Sequence, residues 1–91
     1  MGEANGRTMH FVYVLQSLKD TNLYVGCTTD VDKRLGQHQR GEVRSTKGRF
    51  PLELVYKEVY ADKYEAFRKE RFYKTPKGKK ELKQKIHCRI V

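Results

Sequence analysis

One stretch limits what this chain can fold into more than any other. From Phe11 the residues run Phe11-Val12-Tyr13-Val14-Leu15-Gln16, and after a polar interval a second apolar run follows, Leu23-Tyr24-Val25-Gly26-Cys27. Side chains alternate between faces along a strand, so Phe11, Tyr13 and Leu15 share one face. Between the runs, Lys19-Asp20-Thr21-Asn22 consists of residues that tolerate tight turns. The pattern predicts an antiparallel hairpin in which Tyr13 and Tyr24 approach each other. Gly26 ends the second strand at a point where the backbone bends or another group comes close.

The remaining elements follow from breakers and caps. Asp30, or Thr29 before it, is placed to cap a helix running to about Gln39 and stopped by Gly41. Val31 and Leu35 supply its apolar stripe, and Arg34 and His38, also four apart, lie together on a neighbouring face. Gly41 to Arg49 is polar and basic, with too few apolar residues to pack, and suits contact with phosphate. Pro51 precedes a third strand, Leu52 to Tyr60. Asp62, with Glu65 three residues on, is a capping-box-like pair opening a helix to about Lys74, with Tyr64, Phe67 and Phe72 expected to face inward. Thr75-Pro76 breaks that helix. Pro76 starts a last basic helix through Ile86, anchored by Leu82 and Ile86 alone. The expected fold is α/β: a small antiparallel three-stranded sheet flanked by helices, in the order β-β-α-β-α-α. Residues 1–8 are expected to form a flexible lead-in, 9–86 the domain and 87–91 a short tail.

A chain of 91 residues with 37% hydrophobic content can bury a small core but not a deep ligand cavity. No window approaches the roughly 18 apolar residues of a membrane span, and the first residues lack the apolar run of a signal peptide. Cys27 and Cys88 lack metal-ligand spacing and are expected as reduced thiols of a cytoplasmic protein. His10, His38 and His87 are too dispersed for a zinc site. The formal charge is +9, and it is lopsided: residues 1–45 carry net +1 and residues 46–91 net +8. A one-sided basic surface attracts polyanions, above all nucleic acid.

Two tyrosines, an arginine, a histidine and a downstream acid beside such a surface suit phosphodiester cleavage. That reaction needs a base for the attacking water, a cation on the phosphate and usually a hard metal on oxygen ligands. A tyrosine serves as the base only where positive charge pulls its pKa down from about 10. Each residue also has a plain structural use: Tyr13 and Tyr24 as half-buried sheet residues, Arg34 paired with Asp30, Glu70 paired with Lys74, His38 as a packing residue.

In its motifs the chain resembles the GIY-YIG nuclease superfamily, most closely the small single-domain branch related to the nuclease module of the excision-repair protein UvrC. The first motif stands here as Phe11-Val12-Tyr13 and the second as Tyr24-Val25-Gly26. Arg34 follows Gly26 by eight residues, and His38 lies one helical turn later. The segments Thr46 to Tyr56 and Glu65 to Lys74 resemble that branch as well. The chain departs from the pattern at Phe11, which replaces a glycine, at Cys27, where some relatives have lysine, and in having no asparagine after Asn22.

The resemblance implies a metal-dependent DNA endonuclease of low or structure-dependent specificity, with a place in DNA repair or recombination. It implies that Tyr24 activates or positions water beside Tyr13, that Arg34 holds the scissile phosphate, and that His38 orients substrate or water. It further implies that Glu70 is the one protein carboxylate on Mg2+ (or Mn2+), an arrangement normal for magnesium. Glu65 has a capping task, whereas Glu70 lies beyond capping reach. Lys47, Arg49, Lys69 and Lys74 are the expected nucleic-acid contacts. No membrane and no small-molecule cofactor are expected. Two rival expectations use the same fold: a catalytically weak nucleic-acid-binding module, and a subunit that recruits a protein partner through the sheet or the last helix.

Overall fold

The computed structural model describes residues 8–90, the side chains of 88–90 excepted. The lead-in expected over 1–8 therefore falls, but for Thr8, outside the described residues. Six elements follow in order: β1 (His10–Ser17), β2 (Leu23–Thr28), α1 (Val31–Gln39), β3 (Leu52–Tyr60), α2 (Lys63–Tyr73) and α3 (Pro76–Ile90). The strands form one antiparallel sheet in the order β2-β1-β3. This is the α/β order read from the sequence, except that α3 continues past Ile86 to Ile90.

Because β1 is central, both of its faces are covered. Tyr13 and Leu15 point to one side, with Leu52 and the partly buried Tyr24, Leu35 and Leu54. Val12 and Val14 point to the other, against Val25, Ala66, Tyr73, Leu82 and Ile86. A β-bulge between Val14 and Leu15 shifts the register with β3, so that Val14 pairs with Tyr56 but Leu15 with Leu54.

Local chemistry sets the ends of the elements. Asp30 caps α1 by accepting from the Lys33 amide, and Gly41, at φ +75°, takes the left-handed conformation just beyond it. Asp62 caps α2 through the Tyr64 amide. Thr75 joins α2 to α3: its hydroxyl donates to the Phe72 carbonyl and accepts from the Gly78 amide. At Gly78 a Cβ would lie 1.8 Å from that same carbonyl oxygen, so only glycine fits where α3 turns back onto α2.

Two expectations fail here. The inward face of α2 is not Tyr64 and Phe67, which are 64% and 43% exposed. It is instead Ala66 and Tyr73, with Phe72 partly buried against the same core as expected and Glu70 on the stripe between them. Nor is the Gly41–Arg49 loop unpacked, for Val43 is buried and Thr46 fully so.

Candidate active site

The site is built from the α1 side of the hairpin. Tyr13 faces Gly26 across the β1–β2 pair, and the close approach is why that position is glycine: a Cβ there would lie 2.4 Å from the Tyr13 hydroxyl. The Tyr13 ring is almost fully enclosed, at 2% exposure. Its hydroxyl lies 2.9 Å from His38 Nε2, and His38 Nδ1 lies 2.7 Å from Thr46 Oγ1. Tyr24 packs edge-on against the same imidazole, with ring centroids 5.1 Å apart. The two tyrosines thus meet through His38.

The polarity of this chain of hydrogen bonds follows from its ends. Thr46 donates its own proton to the Val43 carbonyl, 3.5 Å away, and so accepts from His38 Nδ1–H. His38 Nε2 is then an acceptor for the Tyr13 hydroxyl proton. Arg34, whose guanidinium acts to lower the Tyr13 pKa, is fixed on α1 by donating to Gln37 Oε1 at 2.9 Å. Burial, reinforced by the charge of Arg34, depresses the His38 pKa to about 4, so the ring is neutral at physiological pH.

Tyr13 responds in the opposite sense. Burial raises its pKa, and the charges of Tyr24 and Glu70 add to this, while Arg34 pulls the other way without prevailing. A lowered phenol pKa, the condition for a tyrosine base, is not met at Tyr13. His38 is fully buried, with its two ring nitrogens on Tyr13 and Thr46.

Glu70 comes to the site from α2, on the helix face that turns toward the sheet. Its carboxylate bears on Tyr13 and also on Cys27, whose thiol is pushed up by burial and by that charge. The side chain is 22% exposed and pairs with Lys74 at 3.1 Å, the i,i+4 bridge foreseen as its structural use. The corresponding Arg34–Asp30 pair does not form among the described residues, since Asp30 is taken up in capping. No group of three or more His, Cys, Asp or Glu side chains is placed to share a metal ion among the described residues. A lone, partly exposed carboxylate nevertheless fits a hard cation that keeps most of its ligands as water and phosphate oxygens. Arg34 lines an open cleft of about 490 Å3 together with Cys27, Thr28, Asp30, Lys33 and Gln37.

Of the four basic residues expected on nucleic acid, three are paired within the domain. Arg49 pairs with Asp20 at 3.4 Å, Lys69 with Glu81 at 3.7 Å and Lys74 with Glu70. Lys69 also lies over the Phe72 and Tyr73 rings. Lys47 makes no salt bridge among the described residues.

Thr46 and Glu58 carry tasks the sequence did not reveal. Glu58 accepts from the hydroxyls of Tyr60 and Tyr73 (2.6 and 2.7 Å), from that of Tyr56, and from Lys85 Nζ at 3.1 Å. Burial pushes the Glu58 carboxyl up, but these four donors outweigh it and hold its pKa at about 2. The alternation Tyr56-x-Glu58-x-Tyr60, which puts three polar groups on one strand face, is the signal that was there to find. For Thr46 there was none. Cys27 is a free thiol, and the Cys88 side chain lies outside the described residues.

A three-stranded sheet presenting a tyrosine pair, with an arginine and an acid brought in from two helices, defines the class, and a family model described as the GIY-YIG catalytic domain matches residues 9–84. The chain belongs to the GIY-YIG family, a family of nucleases. Among its relatives are the UPF0213 protein SH2523 of Staphylococcus haemolyticus and a UPF0213 protein of Staphylococcus aureus. Each is 41% identical over 75 residues, covering 81% of this chain and 90% of the relative. The solution NMR structure of the UPF0213 protein BH0048 from Bacillus halodurans is 38% identical, with a TM-score of 0.53 over 84% of this chain and 83% of that one. Among the described residues no helix is long and apolar enough to cross a membrane.

Proposed function

We propose that this protein is a divalent-metal-dependent endonuclease that hydrolyses phosphodiester bonds in DNA. The observation that carries the reading is that the buried Tyr13 hydroxyl is fixed 2.9 Å from His38 Nε2 and against Gly26, while Arg34, on the same helix as His38, lines an open polar cleft. A fixed phenol and a cation facing an open cleft suit a phosphate whose charge grows as water adds to it.

In this reading Arg34 binds the scissile phosphate and stabilises the extra charge of the transition state. Tyr24, half-exposed beside His38, positions the attacking water by hydrogen bonding; the water gives its proton to solvent as the new P–O bond forms, and the ester P–O bond breaks with the leaving oxygen taking a proton from solvent. Tyr13 keeps its own proton, which His38 accepts in a hydrogen bond, and so holds the geometry rather than titrating. A magnesium or manganese ion on Glu70 would supply Lewis-acid stabilisation of the phosphate.

The test is cleavage of supercoiled plasmid and of single-stranded DNA with Mg2+ or Mn2+, wild type beside Glu70→Ala. The reading expects nicking by wild type and none by the variant. Equal cutting by both would overturn the role of Glu70. No cutting by either, with salt-sensitive DNA binding retained, would replace the nuclease with a binding module.

A further inference from the structure

The basic residues outside the catalytic site are not equivalent. On one flank of α3, Lys85 is spent on Glu58 and Glu81, and Glu81 also holds Lys69. On the opposite flank Lys79 and Lys83 are exposed and make no salt bridge among the described residues. They lie four apart, where like charges on a helix repel, and nothing described within the domain offsets that repulsion.

These two lysines line a groove of about 460 Å3 that also takes in Thr21, Asn22, Leu23 and Arg49. Its far wall is held in place by the hairpin turn. The Ser17 hydroxyl donates to the Arg49 carbonyl at 2.8 Å and accepts from the Lys19 and Asp20 amides, and the Leu18 amide donates to the Pro51 carbonyl. Arg49 is therefore fixed beside Asn22, across from the two lysines. Asp20 is its exposed partner, at 3.4 Å.

The position of the groove gives it meaning. Among the described residues β2 is an outer strand of the sheet. The groove sits at the Leu23 end of that strand, and the Arg34 cleft at the Cys27–Thr28 end. Five residues of strand span about 17 Å at about 3.3 Å each. Along one strand of stacked nucleic acid, at about 3.4 Å per nucleotide, that is about five nucleotides.

We propose that the groove between the β1–β2 turn and α3 binds the sugar-phosphate backbone of the DNA substrate, about five nucleotides to one side of the bond held at Arg34. The proposal rests on the nuclease reading for what lies at the other end of β2. Lys79, Lys83 and Arg49 meet phosphates, and Asn22 and Thr21 add neutral hydrogen bonds of the kind that fix register without reading sequence.

The test compares Lys79→Glu/Lys83→Glu with Lys77→Glu/Lys80→Glu, an equal charge change on exposed residues of α3 outside the groove. Binding to a labelled duplex of about 24 base pairs is followed by fluorescence anisotropy in EDTA across a salt series, with thermal melts to confirm folding. The groove variant is expected to bind at least about tenfold more weakly near 0.1 M salt and to lose about two units of salt slope. The control pair is expected to change affinity less than about threefold. Equal losses from both pairs would reduce the groove to net charge, and no loss from either would overturn it. Plasmid cleavage separates the two readings. Wild type that binds through the groove yet never cuts leaves the groove standing and the nuclease fallen, while cutting with a silent groove variant does the reverse.

Discussion

Replacing His38 with glutamine should remove most of the acid sensitivity of this fold between pH 7 and pH 5. His38 is completely buried, with its two ring nitrogens on Tyr13 and Thr46, and its folded pKa is about 4. In the unfolded chain the ring titrates near 6.5. A depressed histidine pKa means that the unfolded state binds the proton first, so stability is full above 6.5 and falls as pH drops toward 4. Evaluated between pH 7 and pH 5, the two titration curves give a loss of about 2 kcal/mol, with a slope near 1.2 kcal/mol per pH unit around pH 5.5. For a domain of this size that is a large part of a total of about 5–10 kcal/mol. The other strongly depressed acid does not interfere, because Glu58 loses its contribution only as pH falls from about 4.5 toward 2. Urea denaturation at pH 7, 6 and 5 measures the effect. Glutamine presents an acceptor and a donor to the same two partners but has no proton to gain, so His38→Gln should be less stable at pH 7 and nearly flat over this window. A flat wild-type profile, or the same slope in wild type and variant, would refute the account of a buried neutral histidine.

Gly26→Ala should cost about 1–3 kcal/mol and disturb cleavage, because the added methyl meets the Tyr13 hydroxyl and ring where neither has room to move. Gly36→Ala on α1 is its control. There the nearest atom is the Arg40 guanidinium at 3.1 Å, the end of an exposed chain, and stability should hold or rise by up to about 1 kcal/mol. If both variants denature at the same urea concentration, the Tyr13–Gly26 approach does not limit the site. Glu58→Ala removes the carboxylate that accepts from three tyrosine hydroxyls and one of the two carboxylates on Lys85, and should lower the unfolding free energy by about 3 kcal/mol; a loss below about 1 kcal/mol would mean that solvent replaces the network freely. Lys74→Ala frees Glu70 from its ion pair and should tighten Mn2+ binding about twofold by calorimetry, while Glu70→Ala abolishes it. Undiminished Mn2+ binding by Glu70→Ala would move the metal elsewhere.

What could be read from the sequence was whatever depends on neighbours a few residues away. Alternation along Phe11–Gln16, the Asp30 and Asp62 caps, the stop at Gly41 and the Thr75-Pro76 junction are settled within one turn of chain, and each stands in the structure as read. The site motifs were legible only through their resemblance to a family pattern, as ordered spacings on elements already placed. What lay outside reach was every choice made by contact across the fold. Thr46 looks like any residue of a basic loop until α1 brings His38 to it, and His38 looks like a surface histidine until that loop closes over it. The inner face of α2 was misread because Ala66 and Tyr73 are buried by contacts across the fold rather than by hydropathy, while Tyr64 and Phe67 stay outside. The lysines divide in the same manner: identical in sequence, some are consumed by Glu58, Glu70 and Glu81, and others are left along one groove. Propensity and capping are local free energies and are written in order along the chain. Burial and charge pairing depend on which distant atoms arrive, and only the tertiary structure decides that.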